Sequence, residues 1–260
     1  MKTLKRIYAS IIYLFLYAPI ILLILFSFND SRSRGNWGGW TLRWYGELFK
    51  DSVIMNALFN TLVIALVSAV VATIIGTVTA FGMYYMKKTP RAILSGISYL
   101  PVMNPDIVTG VSLMLLFLAC NVQRGFATLL IAHITFNIPY VILSVLPKLQ
   151  QMNEYLFEAS EDLGASGVYT FFHVIIPEIM PGIVSGFLLS VTLSIDDFVI
   201  SFFTRGAGVN TLSVHIYNMA KKGINPSINA LSAIMFAVVM ILLIVLNKRS
   251  EKEETNNEKN

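Results

Sequence analysis

The chain has 260 residues, 55% hydrophobic and only 13% charged, with a mean hydropathy of +0.68. A soluble globule needs a polar skin built from roughly a quarter charged residues, so this composition excludes one and marks an integral membrane protein. The net charge of +4 would suit a nucleic-acid binder, but the lysines and arginines gather at the ends of apolar runs, as topology signals do. The single cysteine, Cys120, has no intrachain disulfide partner, and no Cys or His cluster supplies metal ligands.

A helical span of the hydrocarbon core takes about 20 apolar residues. By that measure six runs qualify, at residues 7–28, 57–86, 93–120, 126–146, 179–203 and 228–246, and they predict an all-α polytopic fold. The first run follows Lys2, Lys5 and Arg6 without a small-residue cleavage site, so it reads as a retained anchor with a cytoplasmic N-terminus. Lys87, Lys88 and Arg91 after the second run, and Lys248 and Arg249 after the sixth, agree with that orientation; Arg32, Arg34, Arg43 and Lys50 run against it. Trp37, Trp40, Trp44 and Tyr45 crowd the expected first outer loop, where amphipathic aromatics sit at the membrane surface. Residues 1–247 form the expected transmembrane domain, and the polar stretch 248–260 is expected to be a disordered cytoplasmic tail.

Within the second run, Ser68, Ala72, Gly76 and Ala80 recur at steps of four and predict a small-residue seam for close helix packing. The third run contains "PVMNPDIVTG", whose Pro101 and Pro105 remove backbone donors and predict a broken helix. Asn104, Pro105 and Asp106 there match an N-cap, a first-turn proline and an acidic residue at the positive end of a new half-helix. Broken helices at membrane depth line cavities, which makes Asp106 a candidate pathway residue as well as a cap. His133 in the fourth run is expected to hydrogen-bond within the bundle, and neither His173 nor His215 pairs with it into a ligand or catalytic set.

The cytoplasmic loop, about residues 148–178, carries "NEYLFEASEDLGASGVYTFFHVIIPEIMPG" from Asn153 to Gly182. Asn153 caps a short helix in which Leu156, Ala159, Ser160 and Leu163 recur at helical spacing, with Glu154, Glu158, Glu161 and Asp162 on the other sides. Gly164 ends it, because glycine tolerates the left-handed closing conformation, and a second short helix is expected to stop before Pro177.

In the fifth run "TLSIDDFVISFF" sets Asp196 and Asp197 side by side in apolar surroundings. A charge at the bilayer centre costs about 2.5–3.5 kcal/mol, so something must offset both. Helical neighbours point about 100° apart, which favours one carboxylate lining a pore and one with a structural role. Asp106, Asp196 and Asp197 are the candidate substrate path.

Glu158, Ala159, Ser160, Gly164, Val174, Ile176 and Pro177 resemble the "EAA" loop of ABC importer permeases, which reads EAA, three residues, G, nine residues, I-x-L-P. Ser160, Val174 and Ile176 are modest departures from that pattern. By this resemblance the loop docks in a cleft of a separate ATPase. The chain has no G-x-x-x-x-G-K-[ST] phosphate loop, so ATP and Mg would be bound by that partner and no cofactor by this chain.

Six stretches in order, "NWGGWTLRWY", "NPDIVTGVSL", "AHITF", "EASEDLGAS", "TLSIDDFVISFF" and "IYNMAKKGINPSINA", resemble the second permease subunit of spermidine/putrescine importers. The resemblance implies a type I permease fold in the bacterial cytoplasmic membrane. It also implies a second, homologous permease subunit, ATPase subunits and an extracytoplasmic polyamine-binding protein as partners. Two other readings compete. A permease for an anion would place basic residues at membrane depth, and an ion-coupled secondary carrier would need no EAA-type loop.

Overall fold

The computed structural model describes residues 2–31, 36–153, 155–222 and 226–257, so Arg32, Arg34 and Glu154 lie outside the described residues. Among the described residues there is no strand, only an isolated bridge between Asn29 and Trp40. The helices divide between two compact units, residues 1–56 with 215–260 and residues 57–214.

The first unit contains α1 (Lys2–Ser27), α2 (Arg43–Lys50) and α12 (Pro226–Asn257), with α12 packed along α1 and against α2. Its loop is organised by Asn29, whose Oδ1 accepts from the Ser31 and Gly38 amides and whose carbonyl accepts from Trp44 Nε1 at 2.8 Å. Trp44 is therefore 1% exposed rather than at the membrane surface, while Trp37 and Trp40 are exposed as expected of interface aromatics. The stretch expected to be a disordered tail continues α12 as helix to Asn257: its Glu and Lys residues are good helix formers, and extending an existing helix avoids the cost of nucleation.

The second unit holds most of α3 (Ser52–Tyr85), then α4 (Lys88–Met103), α5 (Asp106–Ala119), α6 (Phe126–Gln151), α7 (Leu156–Asp162), α8 (Gly167–Thr170), a π turn (Phe171–Ile175), α9 (Ile176–Asp196), α10 (Val199–Thr204) and the start of α11 (Leu212–Lys222). Of the six expected spans, four appear as continuous apolar helices, Tyr8–Ser27, Ser52–Tyr85, Phe126–Gln151 and Gly167–Asp196. A fifth is the pair α4 and α5, bent by 104°, and the sixth corresponds to the shorter apolar segment Pro226–Ile241.

The bend falls where Pro101 and Pro105 predict it, with one correction. Asn104 does not cap α5: the following proline forces it extended (ψ 143°), so it closes α4, and Pro105 itself takes the N-cap position ahead of Asp106. The expected fifth span 179–203 is corrected at both ends, since its helix is entered from Gly167 and breaks after Asp196.

α6 is the centre of this unit, and glycines let its neighbours approach. A Cβ on Gly76 would lie 2.7 Å from Val141 Cβ, and one on Gly186 would lie 3.2 Å from the Val141 Cα. Ser68, Ala72, Gly76 and Ala80 are all buried, as the spacing predicts. Around the C-terminal half of α6, Ala72, Met83, Val145, Leu149, Ile175 and Ile179 form one core cluster; Ala132, Phe136, Phe117 and Ile200 form another around its N-terminal half.

Overpacking such a seam costs about 1–3 kcal/mol. Gly76→Val is expected to lower the melting midpoint of the detergent-solubilised protein, whereas Gly96→Ala, where a Cβ meets nothing within 4 Å, is expected to leave it unchanged or raise it.

Candidate functional site

The break between α9 and α10 and the break between α4 and α5 face one cleft of about 270 Å³, lined by Asp106, Phe136, Thr192, Leu193, Asp196, Asp197, Phe198 and Val199. The three aspartates singled out in the sequence thus come together, but not in equivalent settings. Asp106, at the first residue of α5, and Asp196, at the last residue of α9, are exposed. The Asp197 carboxylate is turned inward and is 5% exposed.

Its partners explain the inward turn. Oδ1 accepts from the Ile200 amide at 3.0 Å and Oδ2 from the Ser201 amide at 2.7 Å, so the side chain caps the first turn of α10. His133 Nε2 lies 3.5 Å from Oδ2 and 3.1 Å from Ser201 Oγ. The Asp197 carbonyl accepts from Ser213 Oγ at 2.6 Å. Hydrogen bonds to a charged group are worth about 1.5–3 kcal/mol each, enough to offset the burial of one carboxylate.

Behind this pair lies a polar network in which His133 hydrogen-bonds within the bundle as expected, and whose other members the sequence did not reveal. His133 Nδ1 is 3.1 Å from Ser194 Oγ, and Asn137 Nδ2 donates to Ser194 Oγ at 2.9 Å and to Ser68 Oγ at 3.3 Å. Ser68, His133, Asn137, Ser194 and Ser201 are all buried, on α3, α6, α9 and α10. The available signal was the pair His133 and Asn137, four apart and so on one face of an otherwise apolar helix.

The cleft combines exposed carboxylates with Phe136 and Phe198, where the C-terminus of α9 meets the N-termini of α5 and α10 and their dipoles oppose one another. Exposed carboxylates beside aromatic rings are chemically able to hold cations that carry apolar segments. No group of three or more His, Cys, Asp or Glu suited to a metal ion occurs among the described residues.

The loop carrying Glu158, Ala159, Ser160, Gly164, Val174, Ile176 and Pro177 forms a second site. Asn153 does not cap α7 as expected: its Oδ1 accepts from the Tyr155 amide at 3.0 Å, and Tyr155 takes the N-cap position. At the exit Gly164 has φ +86°, its amide donates to the Glu161 carbonyl, and the Ala165 amide donates to the Ser160 carbonyl, which is a Schellman closure. Ser166 Oγ then accepts from the Tyr169 amide to start α8.

Two further expectations fail here. Leu163, placed by spacing on the apolar face of α7, is 90% exposed, and so are Tyr155, Val168, Tyr169 and Phe172 to lesser degrees. Nor does a short helix stop before Pro177: α8 runs through the π turn into α9. Pro177 has no N–H and its ring crowds the carbonyl four residues back; the wider π turn just before it accommodates both defects without ending the helix.

Broken helices around a cleft, together with this loop, define the membrane subunit of a binding-protein-dependent importer. The chain belongs to the family described as "Binding-protein-dependent transport system inner membrane component", which matches residues 72–253. Among its relatives is the spermidine/putrescine transport system permease protein PotC of Haemophilus influenzae, 38% identical over 245 residues, which cover 94% of this chain and 95% of the relative. The putrescine transport system permease protein PotI of Escherichia coli is also 38% identical, covering 92% of this chain and 89% of its own. A crystal structure of a bacterial ABC transporter for import of the acidic polysaccharide alginate shares the fold, with a TM-score of 0.79 at 15% identity and 95% coverage of both chains. The chain is accordingly a multi-pass membrane permease subunit.

A β-branched residue in the left-handed conformation costs at least about 1–2 kcal/mol. Gly164→Val is expected to leave membrane insertion intact and to accelerate limited proteolysis between α7 and α8, with Gly164→Asn closer to wild type because asparagine tolerates positive φ.

Proposed function

We propose that this chain forms half of the translocation pore of an ATP-driven importer of polyamines such as spermidine and putrescine. The observation that carries the substrate class is the cleft in which Asp106 and Asp196 stand exposed beside Phe136 and Phe198. Polyamines are chains of ammonium groups separated by methylenes; exposed carboxylates complement the former, aromatic and apolar walls the latter. The lining contains no lysine or arginine, which speaks against an anionic solute. In this reading Asp106 and Asp196 meet the substrate, and Asp197 holds the helix break from behind.

The loop from Glu158 to Pro177 is the docking element for a separate ATPase, which binds ATP and Mg. Its exposed Tyr155, Leu163, Val168 and Phe172 offer apolar surface to such a partner. A second, homologous permease completes the pore, a polyamine-binding protein delivers substrate from the outer side, and both termini are cytoplasmic in the bacterial inner membrane.

The test is uptake of radiolabelled spermidine and putrescine by proteoliposomes containing the complex purified with its co-expressed partners. Asn keeps the size of Asp and removes the charge, and losing one charge-assisted contact of about 1.5–3 kcal/mol corresponds to roughly ten- to hundredfold. Asp106→Asn and Asp196→Asn are expected to lower uptake by that order with normal complex yield, and Asp197→Asn to lower the yield as well. Uptake at wild-type level in both Asp106→Asn and Asp196→Asn would refute the carboxylate reading, and a purified complex without an ATPase would refute the importer reading.

A further inference from the structure

We propose that His133 is a positioning residue for the transport site, acting through Asp197 to keep Asp196 at the mouth of the cleft. His133 is not itself among the cleft-lining residues; it reaches the cleft only through Asp197, which is. What it holds is the break itself.

His133 Nε2 lies 3.5 Å from Asp197 Oδ2 and 3.1 Å from Ser201 Oγ, so the ring sits against both residues at the start of α10. The ring is fixed from the other side by Ser194 Oγ at 3.1 Å from Nδ1, and Ser194 is tied to Asn137 and Ser68. One imidazole therefore connects the last helical turns of α9, through Ser194, with the first turn of α10, through Ser201 and Asp197. These are the two segments whose junction sets the direction of Asp196.

Neither segment fixes that junction alone. It contains no Gly or Pro, Asp197 is extended (ψ 122°), and α10 is only six residues long. Without His133, Asp197 and the short helix it caps lose this connection to α6, and the two move together toward the nearest water. The nearest water is the cleft. Asp197 would then compete with Asp196 for the same face, and the substrate would meet a different charge arrangement.

This inference rests on the polyamine reading, and the assay separates the two. The complex with its co-expressed partners is reconstituted, and initial rates of radiolabelled spermidine uptake are measured against concentration for His133→Leu, His133→Gln, Asp196→Asn and the double variant His133→Leu with Asp197→Asn. Gln places an amide N–H near the position of Nε2; Leu places none. His133→Leu is expected to raise the apparent KM at least tenfold in the assembled fraction, His133→Gln to restore it to within about threefold, and the double variant to recover part of the loss because no charge is left stranded.

A purely structural histidine would instead lower complex yield and maximal rate together, with KM unchanged in what assembles and no rescue specific to Gln. Apparent KM within twofold of wild type for His133→Leu overturns the inference. If Asp196→Asn abolishes high-affinity uptake in the same experiment, the polyamine reading survives that failure; if Asp196→Asn also leaves KM unchanged, both fall.

Discussion

The second unit of the molecule turns on the burial of one carboxylate. Asp197 sits where a membrane helix would otherwise continue, and its two oxygens collect the Ile200 and Ser201 amides and the His133 ring. Each of these partners answers a different need. The amides are the orphan donors of a new helix, and the ring ties the carboxylate that accepts from them to α6. Remove the carboxylate and α10 loses its cap, α9 loses its reason to stop, and the cleft loses the wall between them.

That arrangement is possible only because the helices around α6 come close. Gly76, Gly182 and Gly186 bring α3 and α9 into backbone contact with α6, and Gly110 does the same for α5 against α10. Serine is short, so Ser68, Ser194 and Ser201 bridge to His133 and Asn137 only across such distances. Close packing and the polar network are therefore one design: a bulkier seam would strand hydroxyls and an imidazole in hydrocarbon, where each unpaired group is costly.

Much of this was legible from local chemistry. Pro101 and Pro105 announce the first helix break because a missing N–H is a property of the residue itself, and Gly164 announces the loop turn because positive φ selects glycine. The second break was not legible: Asp197 and Phe198 carry no breaking signal, and the histidine that stabilises the break is more than sixty residues earlier. Pro177 misled for the opposite reason. It carries a strong stopping signal that a π turn, invisible in composition, absorbs. Trp44 likewise reads as an interfacial aromatic until the Asn29 carbonyl is known to be within reach of its indole nitrogen. Coarse architecture and the identity of the aspartates thus follow from periodicity and charge. That the two neighbouring aspartates would differ followed from helix geometry; that Asp197 is the one turned inward follows only from what each one touches.

The π turn has a mechanical meaning. Because helix is not interrupted at Pro177, one backbone rod of 30 residues, Gly167–Asp196, runs from the loop turn at Gly164 to the carboxylate at the cleft, a length of about 45 Å. A short helix stopping before Pro177 would have put a swivel between the two sites, and a tug at one end would be dissipated in a slack joint. A continuous helix instead ties the loop directly to Asp196, with the widened turn, Pro177 and Pro181 as its points of bending and the capped break at Asp197 as its fixed end.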